Sequence, residues 1–189
     1  AKYKGQSAGT FGSFGTLSFY PAKLIGCFGD GGAILTNDDN LAETFIAMRD
    51  HGRNQKGYVS MWGTNSRLDN LQAGFGNIML KKISSWNKKQ LNIAKIYTKN
   101  LNKFIKTPMF DLKISNPTFH QYIIRTKYRN KLKNYLKKNN IETAIHYPIP
   151  IHNQEPFRKQ FGKISLPQTE RFSKEILSFQ MIFKILKYL

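Results

Sequence analysis

The chain has 189 residues, and its 30 Lys and Arg against 11 Asp and Glu give a formal net charge of +19. Hydrophobic residues make up 40% and aromatics 13%, enough to supply a core and to exclude wholesale disorder. A lone cysteine, Cys27, excludes an internal disulfide and with it the stapled secreted scaffolds, and no apolar run reaches the roughly 20 residues that span a bilayer. The composition therefore predicts a soluble protein of one large or two small domains, cytoplasmic because a reducing compartment is the default for a lone cysteine, with no membrane partner.

The positive charge is uneven. Residues 1–80 hold seven Lys and Arg against six acidic residues, whereas residues 81–189 hold 23 against five. The excess is mostly lysine, dispersed among Asn and Ile on helical segments, and arginine is the stronger marker of phosphate and base recognition. Scattered aromatics follow core spacing and show no nucleic-acid-binding pattern, so the charge reads as solvated helix faces.

In chain order, residues 1–16 are rich in Gly and Ser and read as loop. Leu17 to Tyr20 is a strand-like run stopped by Pro21, and Ala33 to Thr36 is a second strand after the cluster Gly26–Gly32. Asn37-Asp38-Asp39 offers cap chemistry for a helix over Asn40 to Arg49. Residues 50–66 form a long polar loop of the kind that carries function. From Leu68 a helical stripe, Leu71, Phe75, Ile78, Met79, Ile83, Trp86, Ile93, Tyr97, Leu101 and Phe104, predicts a core-facing face with bends at Gly74, Gly76 or Ser84-Ser85. After a boundary near residue 107 come a strand (Gln121 to Thr126), a helix (Arg129 to Asn139), a strand (Ile141 to Tyr147) and a last helix (Glu170 to Leu177), the order of a small α/β or α+β unit.

The chemistry concentrates in Ser18-Phe19-Tyr20-Pro21-Ala22-Lys23 and the following Gly29-Asp30-Gly31-Gly32. Lys23 follows an apolar strand and a rigid Tyr-Pro step, with glycines on both sides that admit a ligand without Cβ clashes. Partial desolvation favours the neutral, nucleophilic amine, which is the requirement for bonding a carbonyl.

These residues resemble a known family. The segment GTFGSFGTLSFYPAKLIGCFGDGGAILTNDDNLAE is similar to the cofactor-lysine region of the DegT/DnrJ/EryC1/StrS aminotransferases, which act on nucleotide sugars with pyridoxal 5'-phosphate (PLP). The likeness continues through Arg49–Arg53 (RDHGR), Gly63–Ala73 (GTNSRLDNLQA) and Ile145–His152 (IHYPIPIH), in the family's order. It implies a PLP-dependent transferase of fold type I, with residues 1–107 the later part of the large cofactor domain and residues 108–189 an incomplete small domain. It implies that Lys23 bonds the PLP carbonyl and shuttles the proton, and that Ser18 hydrogen-bonds the phosphate. Asn65 would reach that phosphate from a neighbouring subunit of a homodimer, with Arg67 close by. His146, Tyr147 and His152 would line the nucleotide-sugar site. The implied reaction takes an amino group from glutamate to a nucleotide-linked keto-sugar for surface polysaccharide or aminosugar synthesis, with no metal.

Family members are about twice this length, and the part before Ala1 would carry a Gly-rich phosphate turn, a ring-stacking aromatic and the aspartate that pairs with the pyridinium nitrogen. The departures include Gly74 and Gly76, where the family favours alanine and aliphatic residues, and the segment after Leu177. The sequence therefore predicts a truncated chain, weak or absent transaminase activity and a tendency to self-associate. Two rival readings are a sugar dehydratase of the same superfamily, which has histidine where this chain has Lys23, and an inactive remnant acting as a basic binding module.

Overall fold

The computed structural model describes residues 1–181; residues 182–189, most of the run after Leu177 where the sequence predicts a departure from the family, lie outside the described residues. The chain divides into two compact units. The first is Ala1–Lys88 with Phe110–Thr118, and the second is Lys89–Met109 with the chain from Phe119 onward.

The first unit opens with a hairpin where the sequence predicts plain loop. Strands β1 (Lys2–Tyr3) and β2 (Gln6–Ser7) pair antiparallel, and β1 also pairs with β5 (Ser115–Asn116). The two-residue connection Lys4-Gly5 has positive φ at both positions (47° and 83°), the backbone that matches strand twist in a tight hairpin. Strand β3 covers Phe14–Ser18 and pairs antiparallel with β4, Gly32–Thr36. It thus begins three residues before the predicted strand. The Thr36 hydroxyl donates to the Ser13 carbonyl at 2.8 Å, and Phe14 packs edge-on against Phe45 with centroids 5.2 Å apart. Both contacts extend the ladder toward the N-terminus.

Helix α1 (Asp39–Met48) starts where the cap chemistry places it: Asp38 accepts from the Leu41 N–H at 3.1 Å. The long stripe resolves into two helices, α2 (Asn70–Leu80) and α3 (Ile83–Leu101). They break at Lys81-Lys82, and Gly74 and Gly76 lie within α2, so the bend is at none of the predicted positions. The Lys82 N–H turns back to the Met79 carbonyl at 2.9 Å and closes the first helix. The expectation of a continuous buried face is also corrected. Leu71 is 73% exposed and Phe104 81%, and Ile78 is exposed as well.

The second unit holds the better-buried core. Strands β6 (Gln121–Arg125), β7 (Thr143–Ala144) and β8 (Ile176–Gln180) form an antiparallel sheet in the order β6-β8-β7. Helix α4 covers Arg129–Lys138 as the sequence predicts. The predicted strand Ile141 to Tyr147 shrinks to Thr143–Ala144, because only those residues find partners, Phe179 and Ser178, on β8. The predicted last helix is shifted. Helix α6 covers Pro167–Glu175, and Ile176 adopts extended backbone, so Leu177 belongs to the central strand. Tyr122, Ile124, Leu177 and Ser178 are fully buried there. Tyr122 shares a 2.7 Å hydroxyl hydrogen bond with Thr98 of α3 and lies in a cluster with Tyr97, Phe119 and Phe179. Each large apolar side chain so buried contributes about 1.5–3 kcal/mol.

Candidate active site

Lys23 sits in the turn that leaves β3, half-buried. Its N–H donates to the Tyr20 carbonyl at 2.8 Å, and the Tyr20 N–H donates to Ser18 Oγ at 3.3 Å, so one local hydrogen-bond chain runs from Ser18 to Lys23. The loop then folds back: the Cys27 N–H donates to the Phe19 carbonyl at 2.7 Å. This return leaves no room for a side chain at Gly26, where a Cβ would stand 2.5 Å from the Pro21 carbonyl oxygen. The far side of the loop is fastened to α2. The Phe28 N–H donates to Gln72 Oε1 at 2.8 Å, and the Phe28 ring meets Phe75 edge-on at 4.6 Å. Gln72 is a positioning residue absent from the sequence-predicted set; its place in the GTNSRLDNLQA motif was the available signal.

Asn65 and Arg67 come together in the same unit, on the loop before α2. An antiparallel bridge joins Asn65 to Asp50 at the end of α1. Arg67 Nε donates to Asn65 Oδ1 at 3.2 Å, and its Nη1 lies 3.3 Å from Asp50 Oδ1. Arg53 reaches the same carboxylate oxygen at 3.9 Å. Arg67 also lines a cavity of about 830 Å³ beside α1, together with Glu43, Arg49, Asp50, Arg53 and Lys56. Among the described residues no hydrogen bond or ion pair joins Lys23 to Asn65 or Arg67.

The donor set suits a phosphate-bearing cofactor on a specific ground. Ser18 Oγ already accepts from Tyr20, so its O–H is left to donate outward. Asn65 Oδ1 already accepts from Arg67, so its amide N–H groups are the free part of the side chain. Both internal bonds occupy acceptors and leave donors, the polarity an anion requires. Phosphate apart, Lys23 carries the primary amine that a carbonyl would take.

The remaining predicted residues lie in the second unit, on the segment between β7 and α5 (Glu155–Phe161). His146 Nδ1 is 2.9 Å from Ser178 Oγ on β8. Tyr147 is 73% exposed. His152, in the 3₁₀ turn Ile151–Asn153, is only 4% exposed and lies 3.2 Å from Glu170 Oε1 on α6. Glu170 has no counterpart among the predicted residues. The Leu166 N–H, donating to it at 3.0 Å, and the hydrogen bond to His152 hold its carboxyl below the ordinary 4.5. Among the described residues no group of three or more His, Cys, Asp or Glu is placed to hold a metal ion, and no helix is long and apolar enough to cross a membrane.

Comparison with known proteins bears on the family and the fold. The chain is 38% identical to a pleiotropic regulatory protein of Geobacillus stearothermophilus over 96% of its length and 50% of the relative's. It is 37% identical to the dTDP-3-amino-3,4,6-trideoxy-alpha-D-glucose transaminase of Streptomyces venezuelae, covering 94% of this chain and 48% of that one. The crystal structure of S. venezuelae DesV in complex with a ketimine intermediate superposes with a TM-score of 0.87 at 37% identity, over 94% of this chain and 48% of DesV. The chain thus spans about half the length of the relatives it matches. The DegT/DnrJ/EryC1/StrS aminotransferase family profile matches residues 1–186. With nearly every residue inside that match, the chain belongs to the DegT/DnrJ/EryC1/StrS aminotransferase family.

Proposed function

We propose that the protein is a PLP-dependent aminotransferase that moves an amino group from glutamate to a keto-sugar carried on a nucleoside diphosphate. It would serve surface polysaccharide or aminosugar synthesis as a cytoplasmic homodimer. Residues 1–107 would belong to the cofactor domain and residues 108–189 to the small domain. The observation that carries the reading is the turn after β3, where Lys23 and Ser18 are tied into one structure within a chain of this family.

Pyridoxal phosphate, when bound, supplies a carbonyl and an electron-withdrawing ring. Everything else is asked of the chain. Ser18 O–H would donate to the phosphate beside Lys23, and Asn65 Nδ2, with the Arg67 guanidinium close by, would reach it from the neighbouring subunit. Lys23 Nζ is the nucleophile toward the carbonyl and the base that carries a proton between carbons. Its half-buried setting limits competing water. The Asp50 carboxylate keeps Arg67 turned toward Asn65. The loop with His146, Tyr147 and His152 would receive the nucleotide sugar, with Tyr147 the exposed one of the three.

Borohydride trapping after incubation with PLP tests this, read by peptide mapping beside Lys23→Ala. A stoichiometric adduct confined to Lys23 and lost in the variant is the expected result. Adducts scattered over the surface lysines equally in both proteins, or no adduct, would overturn the reading for this chain.

A further inference from the structure

The segment IHYPIPIH is held at two points. At its start His146 Nδ1 meets Ser178 Oγ on the central strand, and Ser178 is itself buried. At its end His152 is buried against Glu170 of α6. Between these anchors Tyr147, Ile149 and Ile151 are all exposed. The histidines thus face inward and the tyrosine and aliphatics outward.

The second anchor contains a proton-assignment conflict that Glu170 resolves. Two groups lie at His152 Nε2: Glu170 Oε1 at 3.2 Å and Asn153 Nδ2 at 3.3 Å. Asn153 cannot reverse its amide freely, because Arg158 Nη2 donates to Asn153 Oδ1 at 2.7 Å and keeps Nδ2 toward the ring. Nε2 can donate to the carboxylate or accept from the amide, and it cannot do both. An ionised carboxylate only accepts, and a charge-assisted bond is roughly twice as strong as a neutral one. The carboxylate therefore decides the matter. The same Glu170 oxygen also takes the Leu166 N–H at 3.0 Å, so the ring is tied to the start of α6 through one atom.

We propose that Glu170 is a positioning residue that fixes the Nε2–H tautomer and rotamer of His152, and through it holds residues 147–151 with Tyr147 turned outward to meet a ligand. That the ligand is a nucleotide sugar rests on the aminotransferase reading; the anchoring does not. The 3₁₀ turn reports on the anchor directly, since the Asn153 N–H donates to the Pro150 carbonyl and the Gln154 N–H to the Ile151 carbonyl, both at 2.9 Å.

The test needs neither cofactor nor sugar, so its failure and a failure of PLP trapping are separate results. Long-range proton–nitrogen NMR of the histidine rings reads the tautomer, and amide hydrogen exchange reads the turn. In the unmodified protein near neutral pH the His152 proton is expected on Nε2; a ring protonated on Nδ1 alone would overturn the proposal outright. In Glu170→Ala, Asn153 becomes the donor to Nε2, so the ring should switch to the Nδ1–H form. Exchange at Asn153 and Gln154 should then rise at least tenfold, with the β6–β8 amides unchanged. Glu170→Gln keeps an oxygen for the Leu166 N–H but gives up the charge, so protection of the turn should return while the ring divides between the Nε2–H and Nδ1–H forms. If Glu170→Ala keeps both with the sheet intact, Glu170 positions nothing. If Glu170→Ala unfolds, Glu170→Gln decides: a ring still wholly Nε2–H in that variant means that the carboxylate does not set the tautomer, and overturns the proposal.

Discussion

Gly26 and Glu170 show how much of the candidate site depends on single atoms. An alanine at residue 26 would press on the Pro21 carbonyl, a backbone atom that can yield only by opening the turn. Overpacking of this kind costs about 1–3 kcal/mol. Gly26→Ala should therefore lower PLP trapping at Lys23 severalfold while the circular dichroism of the helices stays unchanged. Glu170 titrates in a predictable direction. Its carboxyl is lowered first by the Leu166 N–H and then by His152, with the Lys174 charge adding to both. A carboxyl lowered in the folded state stabilises the fold fully above its ordinary value of 4.5 and loses that contribution as pH falls through the lowered value. Urea midpoints measured from pH 6 downward should fall more steeply for the unmodified protein than for Glu170→Gln. Parallel curves would remove Glu170 from the acid response. Lys23 and Ser18 could be singled out as candidates because a short motif carries them. Glu170 was not, since a glutamate in the first turn of a helix reads as a dipole partner, and only the fold brings His152 to it.

At the scale of elements, the sequence identifies those whose ends are chemically marked. Helix α1 could be bounded because Asp38 is a cap, and α4 because its apolar residues keep helical spacing. Strand β8 could not, because Ile176, Leu177 and Phe179 form a short apolar run that suits a buried strand or a helix end equally. What decides is the pairing of Ser178 with Ile123 on one side and Ala144 on the other, partners more than 30 residues away. Two substitutions probe these elements. Gly74 sits inside α2 with open space where a Cβ would go, so Gly74→Ala should stabilise by about 1 kcal/mol, the helix-propensity difference. Leu177→Ala, in the middle of the core strand, should destabilise the second unit by about 2–5 kcal/mol. Chemical denaturation followed by tyrosine fluorescence checks both.

For the whole molecule, charge and apolar exposure oppose one another. The net charge of +19 keeps copies apart in dilute salt. Yet Leu17, Ile34 and Leu35 of the β3–β4 hairpin are exposed, although their run of apolar residues is that of a strand covered on both faces. Screening shortens the Debye length from about 10 Å at 0.1 M to about 3 Å at 1 M. Sedimentation velocity should therefore show association growing with salt and reduced by the pair Ile34→Thr and Leu35→Thr. Association that falls as salt rises would point to charge pairing instead. The distribution of exposure was beyond the reach of sequence patterning. Periodicity says which residues share a face, and only the assembled fold says whether anything lies against it.

The order of strands in the second sheet also sets a timetable for synthesis. β6 and β7 do not pair with each other; each waits for β8, which leaves the ribosome some 50 residues after β6 and 30 after β7. Until residues 176–180 emerge, two strands have bare edges and the aromatic cluster lacks Phe179. The nascent chain therefore passes through a stage in which its second half is largely helix and loop. The sheet can close only when that central strand takes its place between two that were made before it.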